Sequence, residues 1–198
     1  MADVVKLLLQ CEDEELVLEL FNLLIRPDED FDLVWHRDDI PATATPEEEL
    51  ERLQEPAWHV QWNLALYDDE SLIVVPGSHV RARTEVERNA APRERALPGE
   101  IKVRMRAGDV VFYNNNILHR GAYKSGTERM TLHGSMGHVG GSRLRARNVL
   151  QHGVGEWVNR IDLSGLEGEE RKRAEGMRER LMKLGTDNSG DVGYSLSG

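Results

Sequence analysis

The plainest periodicity runs from Trp58 to Tyr67, where apolar and polar positions alternate. Trp58, Val60, Trp62, Leu64 and Leu66 fall on one face and His59, Gln61 and Asn63 on the other, as in a strand that turns one side to a core. Asp68-Asp69-Glu70 reads as a turn, and Leu72-Ile73-Val74-Val75 is wholly apolar, as a strand buried on both sides would be. Pro76-Gly77-Ser78-His79 breaks it. Ile101, Val103 and Met105 then alternate with Lys102, Arg104 and Arg106. Ala107-Gly108-Asp109 turns the chain into Val110-Val111-Phe112-Tyr113, and Asn114-Asn115-Asn116 turns it toward Ile117-Leu118-His119. After a turn at Lys124-Ser125-Gly126, Glu128–His133 is the next strand, and Gly137 to Gly141 ends the strand-rich part. Short strands at close spacing with little helix between them predict a mainly β chain, an antiparallel sandwich or a jelly roll.

A few helices flank these strands. Leu16, Leu20 and Leu23-Leu24 share one helical face behind the acids Glu12 to Glu15, which favour a helix N-terminus. Asn22 to Ile25 fits a strand equally, and the helix must stop by Arg26-Pro27. Asp28-Glu29-Asp30 is a turn before a short strand, Phe31 to Trp35. Thr45 as N-cap, Pro46 at the first helical position and Glu48 closing a capping box predict a helix to about Gln54. From Arg81 to Glu100 the chain is polar and interrupted, a long loop. Residues 143–159 are undecided. A terminal helix is predicted from about Glu169 to Leu184, with i,i+4 pairs Glu169/Arg173 and Glu179/Lys183 and a stop at Gly185, followed by a frayed tail from Asn188. This gives one β domain over residues 1–161 with a short N-terminal helix, then a C-terminal helix and flexible tail over 162–198.

Length and charge narrow the function. A chain of 198 residues suits one domain with a real core. A net charge of -10, with bases interleaved among acids, argues against a nucleic-acid partner. The single cysteine, Cys11, cannot form an internal disulfide and fits a reducing compartment. No apolar run approaches the ~18 residues of a membrane span, and Met1 to Lys6 lacks a secretory layout. A cytoplasmic protein without a membrane partner is expected.

The candidate chemistry begins at the end of the Phe31–Trp35 strand. His36 and Asp38 point to one side of an extended chain and Arg37 to the other, so an imidazole and a carboxylate stand together. A third ligand from elsewhere would complete a two-His, one-carboxylate face of the kind that suits non-haem Fe(II) oxygen chemistry. Alone, such a pair is common by chance and reads as a polar strand end. Two downstream features sharpen it. His119 ends a strand-like segment, and Arg129 and Thr131 share a strand face ten residues later. An inward arginine beside a hydroxyl is a carboxylate clamp, and without an acid on that face it would require an anion. Gln61 and Asn63 are candidates for cosubstrate or substrate contacts. His79 and His133 read as structural or cavity-lining, and Trp35 and Trp62 as core. The arginines from Arg81 to Arg95 read as a solvated loop, or as contacts for a phosphorylated substrate.

His36-x-Asp38, Val75-Pro76-Gly77-Ser78-His79, Ala107-Gly108-Asp109-Val110, His119-Arg120-Gly121 and Arg129-x-Thr131 occur in this order. Together they resemble the phytanoyl-CoA dioxygenase-like branch of the Fe(II)/2-oxoglutarate-dependent oxygenases, over about Phe31 to His138. The resemblance implies a double-stranded β-helix, a cupin-like jelly roll, with Fe(II) on His36, Asp38 and His119. Arg129, with Thr131 as helper, would hold the distal carboxylate of 2-oxoglutarate. O2 and 2-oxoglutarate would be consumed, succinate and CO2 released, and a C–H bond of a small organic substrate oxidised, usually by hydroxylation. Asp38 argues against a halogenating variant. The Pro41–Gln54 and Arg81–Glu100 segments are candidates for a lid. Only 35 residues precede His36, fewer than such relatives place there. The chain is therefore expected to be a compact or truncated form, or one buttressed by a partner, for instance in a homodimer. A cupin-like metal enzyme without an oxoacid and a non-catalytic jelly-roll binding protein are the competing readings.

Overall fold

A computed structural model describes residues 1–94 and 96–186. The elements are α1 (Ala2–Leu9), β1 (Leu16–Ile25), β2 (Phe31–Asp32), α2 (Pro46–Gln54), β3 (His59–Ala65), β4 (Leu72–Val75) and α3 (Glu85–Asn89), followed by β5 (Ile101–Lys102), β6 (Val110–Tyr113), β7 (Leu118–Tyr123), β8 (Met130–His138), α4 (Arg143–Val149) and α5 (Gly168–Thr186). Single turns of tighter helix lie at Ser78–Val80 and Val158–Arg160, and a wider π turn at Leu150–Val154 continues α4. Two four-stranded sheets form, ordered β1-β8-β3-β6 and β2-β7-β4-β5. The mainly β class is as expected.

The described residues divide into two compact units, the division falling within β1, β3 and β8. The first holds residues 1–22, 57–62 and 133–186. Its core is Val17, Ala146, Val149, Val154, Val158 and Leu181, with Leu150 and Trp157 packed against them. Each such side chain contributes roughly 1.5–3 kcal/mol on burial. Arg180 of α5 donates to the carbonyls of Leu16 and Asp13, and Arg173 pairs with Asp13 (2.9 Å) and Asp3 (3.3 Å), so the terminal helix caps the entry to β1. The second unit holds residues 23–56 and 63–132. Its core cluster is Trp35, Ile73, Val75, Leu97 and Leu118, and the whole β2-β7-β4-β5 sheet belongs to it. Trp35 and Trp62 are both buried, as expected.

Several expectations are corrected. Leu16–Ile25 is strand throughout and the N-terminal helix lies earlier, at Ala2–Leu9. The run LVLELFNLLI is so nearly apolar that it satisfies both periods, and pairing with β8 decides it. Beyond Leu20 the burial alternates with period two, leaving Phe21, Leu23 and Ile25 exposed. The loop after Arg81 contains α3, which starts with a full capping box between Thr84 and Glu87. The matching box at Thr45 and Glu48 opens α2 as predicted. Residues 143–154 and 158–160 are helical. Arg173 leaves the expected partner Glu169, which meets Lys172 instead (3.5 Å). The predicted tail from Asn188 lies outside the described residues.

Gly185 does not end α5. It is buried within it, where a Cβ would lie 2.4 Å from Leu150 Cδ1 and 3.0 Å from the Ala146 carbonyl oxygen. The glycine lets α5 approach α4 closely. Gly185→Val should therefore destabilise the chain by about 1–3 kcal/mol despite the better helix propensity of valine, read as a lower urea midpoint at unchanged slope.

Candidate active site

The site is built on β7 and the segment after β2, both in the second unit. β7 pairs antiparallel with β4, Val74 opposite His119 and Leu72 opposite Gly121, and with β2, Phe31 opposite Tyr123. Beyond β2 the chain leaves the ladder and returns at one bridge, His36 opposite His119, with an N–H to O bond of 3.0 Å in each direction. Asp38 follows two residues later. Ligand atoms of His36, Asp38 and His119 all lie within 4.8 Å of one another. Asp38 Oδ1 is 3.5 Å from His36 Nε2 and 3.7 Å from His119 Nε2, and the imidazole centroids are 4.3 Å apart.

Tautomers follow from local bonds. His36 Nδ1 is 2.8 Å from the Val34 carbonyl and His119 Nδ1 is 2.8 Å from that of Ile117. A carbonyl can only accept, so each Nδ1 donates and each Nε2 keeps its lone pair, as a metal ligand needs. Burial holds the His119 imidazole below its ordinary pKa against the pull of Asp38, which keeps it neutral. Tyr113 meets His119 edge-on at 5.5 Å, and burial, with Asp38, pushes its hydroxyl well above the ordinary range. The sequence thus predicted the three residues that the structure brings together, and two imidazoles with one carboxylate could hold a divalent metal.

What fixes this geometry was less legible. Ser78 is fully buried; its hydroxyl accepts from the Leu118 N–H (2.7 Å), and Gly77 takes the positive φ of 75° that turns the chain there. The asparagine turn is a brace. The Asn115 carbonyl accepts from Asp38 N–H (3.1 Å), Asn115 Nδ2 donates to Asp39 (2.5 Å), and Asn116 Oδ1 accepts from Asp39 N–H (3.3 Å).

Arg37, pointing away from the ligands, enters a cluster no pattern foretold. Glu49 of α2 is fully buried and meets Arg83 (2.5 Å), Arg88 (2.5 Å) and Arg37 (3.4 Å). Arg83 also donates its backbone N–H to Glu49, and Arg81 forks onto Glu87 at 2.7 Å twice. Burial lowers the Arg37 pKa to about 10, so it remains charged near neutrality. Arg37 further donates to the carbonyls of Ser78, Asn116 and Arg81. Arg81, Arg83 and Arg88 are therefore committed to ion pairs, not to a solvated loop, and Arg83 and Arg88 pin the two expected lid segments together through Glu49. Arg95 lies outside the described residues.

Arg129 and Thr131 come together, with an acid beside them. Arg129 Nε donates to Asp69 Oδ2 and to Ser71 Oγ, both at 3.1 Å, and its guanidinium lies over the Tyr123 ring at 4.4 Å. Thr131 Oγ1 donates to the same Asp69 oxygen at 2.8 Å, and Ser71 N–H to the other at 2.7 Å. Burial disfavours the Asp69 charge, but hydrogen bonds from Ser71 and Thr131 and the charge of Arg129 outweigh it and hold the carboxyl below its usual range. The sequence reading had taken Asp69 as a turn residue, so this face was expected to lack an acid. Gln61 and Asn63 are buried on β3 and lie outside the three-ligand group, as do His79 and His133.

Residues 26–131, just over half of the chain, match the family model of phytanoyl-CoA dioxygenase (PhyH). The chain belongs to that family. Members of the PhyH family use Fe(II), 2-oxoglutarate and O2. Among solved structures, EctD from S. alaskensis with bound Fe is 22% identical over 71% of this chain and 50% of its own, with a TM-score of 0.51. The α-ketoglutarate-dependent epimerase SnoN from nogalamycin biosynthesis is 22% identical over 68% and 51%, with a TM-score of 0.44. AviO1 from Streptomyces viridochromogenes Tue57 is 22% identical over 62% and 51%, with a TM-score of 0.42. The chain spans about half the length of these proteins. EctD shows a shared fold, and the fold of the PhyH chain is the cupin-like jelly roll expected. A comparison with curated protein sequences gave no match.

The PhyH match ends at Thr131, so the metal candidates, Arg129, Asp69 and Glu49 all lie inside it. Removing Glu49 would leave two buried guanidinium groups, of Arg37 and Arg83, and the half-buried one of Arg88 around a missing carboxylate. Glu49→Gln is expected to cost about 3–5 kcal/mol in urea unfolding, well above an ordinary surface change.

Proposed function

We propose that this chain is a non-haem Fe(II)/2-oxoglutarate-dependent oxygenase, EC 1.14.11 in type. It would oxidise, typically by hydroxylation, a small organic substrate, with release of succinate and CO2. The observation that carries this reading is the convergence of His36 Nε2, His119 Nε2 and an Asp38 oxygen within 4.8 Å, with both Nδ1 atoms committed to carbonyls. Two imidazoles and one carboxylate fit ferrous iron and leave the opposite face open. Iron held by these residues would activate O2, with 2-oxoglutarate and the C–H bond each giving up two electrons.

The protein's part is to hold and orient. Val34 and Ile117 fix the ring nitrogens, Asn115 fixes the Asp38 backbone, and Arg129 offers charge for the distal carboxylate. Asn63 and Gln61 are retained as proposed polar contacts of cosubstrate or substrate. Among the described residues no helix is long and apolar enough to cross a membrane, and a cytoplasmic location with a small-molecule substrate is part of this proposal. One observation favours a second reading, a metal enzyme that uses no oxoacid: Asp69 already neutralises Arg129, so an anion is not required for its burial.

Arg129 separates the two. With Fe(II) restored, the full chain is expected to bind 2-oxoglutarate only in the presence of metal and to form succinate from it, and His119→Ala to abolish both. Arg129→Ala should weaken 2-oxoglutarate about 100-fold, the loss of a bidentate charged contact, while metal affinity holds. Unchanged 2-oxoglutarate binding in that variant favours the second reading.

A further inference from the structure

The clamp expected from Arg129 and Thr131 lacks a free hydroxyl proton on Thr131, because Thr131 Oγ1 donates it to Asp69 Oδ2 at 2.8 Å. A hydroxyl has one proton to give, so an incoming carboxylate gains no donor from Thr131 while that bond stands. Ser71 is similarly engaged: its hydroxyl accepts from Arg129 and hydrogen-bonds the Asp69 carboxyl, whose pKa it helps to lower. A tyrosine ring stands against the same guanidinium. The Tyr123 ring lies under Arg129 at 4.4 Å and stacks beside Phe31, its partner across the sheet, with centroids 6.1 Å apart.

The direction of the Tyr123 hydroxyl is set by Gly121. His119, Gly121 and Tyr123 alternate onto one face of β7. A Cβ built on Gly121 would lie 2.1 Å from the Tyr123 oxygen. The ring is thus folded back along the strand, over the glycine, toward the side on which His119 stands. Any side chain at 121 would occupy that place. Among the described residues the Tyr123 oxygen has no hydrogen-bond partner, and burial raises its pKa, which keeps the proton on it. Among the described residues Arg129 uses only Nε for side-chain hydrogen bonds, which leaves the outer edge of its fork for a ligand.

We propose that Tyr123 is the hydroxyl donor of the oxoacid clamp, giving its proton to the carboxylate that Arg129 binds, while Thr131 acts through Asp69 to position Arg129. This rests on the oxygenase reading above and deepens it. It predicts selectivity for a diacid over a keto acid that has only the metal-chelating end.

The test uses the full chain loaded with Mn(II), which binds the same donors without turnover. It is titrated calorimetrically with 2-oxoglutarate and with pyruvate, which lacks the second carboxylate. Tyr123→Phe keeps the ring and its stacking and removes only the oxygen. It is expected to weaken 2-oxoglutarate about tenfold, as for a hydrogen bond to a charged group, leaving pyruvate and Mn(II) affinity within about twofold. Thr131→Val is expected to have the smaller effect. Wild-type 2-oxoglutarate affinity in Tyr123→Phe, an equal loss for both acids, or a larger loss in Thr131→Val overturns the proposal. Arg129→Ala shows which idea has failed. If it abolishes the preference for 2-oxoglutarate while Tyr123→Phe keeps it, the oxygenase reading stands and Tyr123 alone is excluded. If the wild type shows no such preference, the clamp and the inference fall together.

Discussion

The bridge between His36 and His119 is the constraint on which the site depends. Two backbone bonds of 3.0 Å hold these residues opposite each other, and each ring is turned by a bond from Nδ1 to the carbonyl two residues before it. Such directly bonded pairs fix side chains to the same face of a sheet. The alternation of a strand makes the register unforgiving, since a slip of one residue would bring Arg37 or Arg120 where an imidazole should be. Three ligand atoms converge because a short, otherwise irregular segment meets β7 at one defined position. The fully buried Ser78 hydroxyl, bonded to the N–H beside His119, holds the other side of that position.

The alternation that points His36 and Asp38 inward also sends Arg37 into the protein, and the second unit is arranged to accept that charge. Glu49 and Glu87 together face Arg37, Arg81, Arg83 and Arg88, so two positive charges remain for backbone carbonyls to solvate. The carbonyls of Ser78, Asn116, Arg81, Pro41 and Ala44 do this. Arg120, the matching outward residue of β7, lies over the Trp35 ring at 5.0 Å. A buried cluster of this kind is poor evidence of stability relative to an apolar core, because desolvation offsets much of the attraction. It does specify one arrangement. The helix α2, the 81–88 segment and the residue between two metal candidates cannot move independently without stranding a charge.

The three metal candidates were legible in the sequence because their geometry is local: His36 and Asp38 share a face by period two, and His119 follows a clear asparagine turn, although it opens β7 and does not end a strand as expected. Both capping boxes were equally local; the one at Thr84 was hidden by the loop-like composition around it. Leu16–Ile25 was misread because an all-apolar run carries no period and its state is decided by a partner 115 residues away, as the Leu20 bond to Ser135 shows. Glu49 and Asp69 were invisible for a related reason. An acid on an acidic helix and an acid in an Asp-Asp-Glu turn look like solvated surface until distant arginines arrive. Glu49 meets Arg83 and Arg88, and Asp69 meets Arg129, across more than thirty positions, and nothing in the spacing of single residues announces it.

Asp69 changes what the neighbouring arginine can mean. A lone buried guanidinium would attract any anion, and its burial would imply one. Paired with Asp69, Arg129 is neutralised, so a ligand there gains from geometry more than from bulk charge. The chain carries a net charge of -10, in which the Asp38 carboxylate is already counted. Attraction for a dianion must then come from a divalent ion between those ligands, with the arginine fork and any free hydroxyl sorting acids by shape. An enzyme built this way would discriminate a diacid from a monoacid through a few short hydrogen bonds in a water-poor pocket, where each is strengthened by the low local dielectric. That is why the position of one proton, on Thr131 or on Tyr123, carries functional weight.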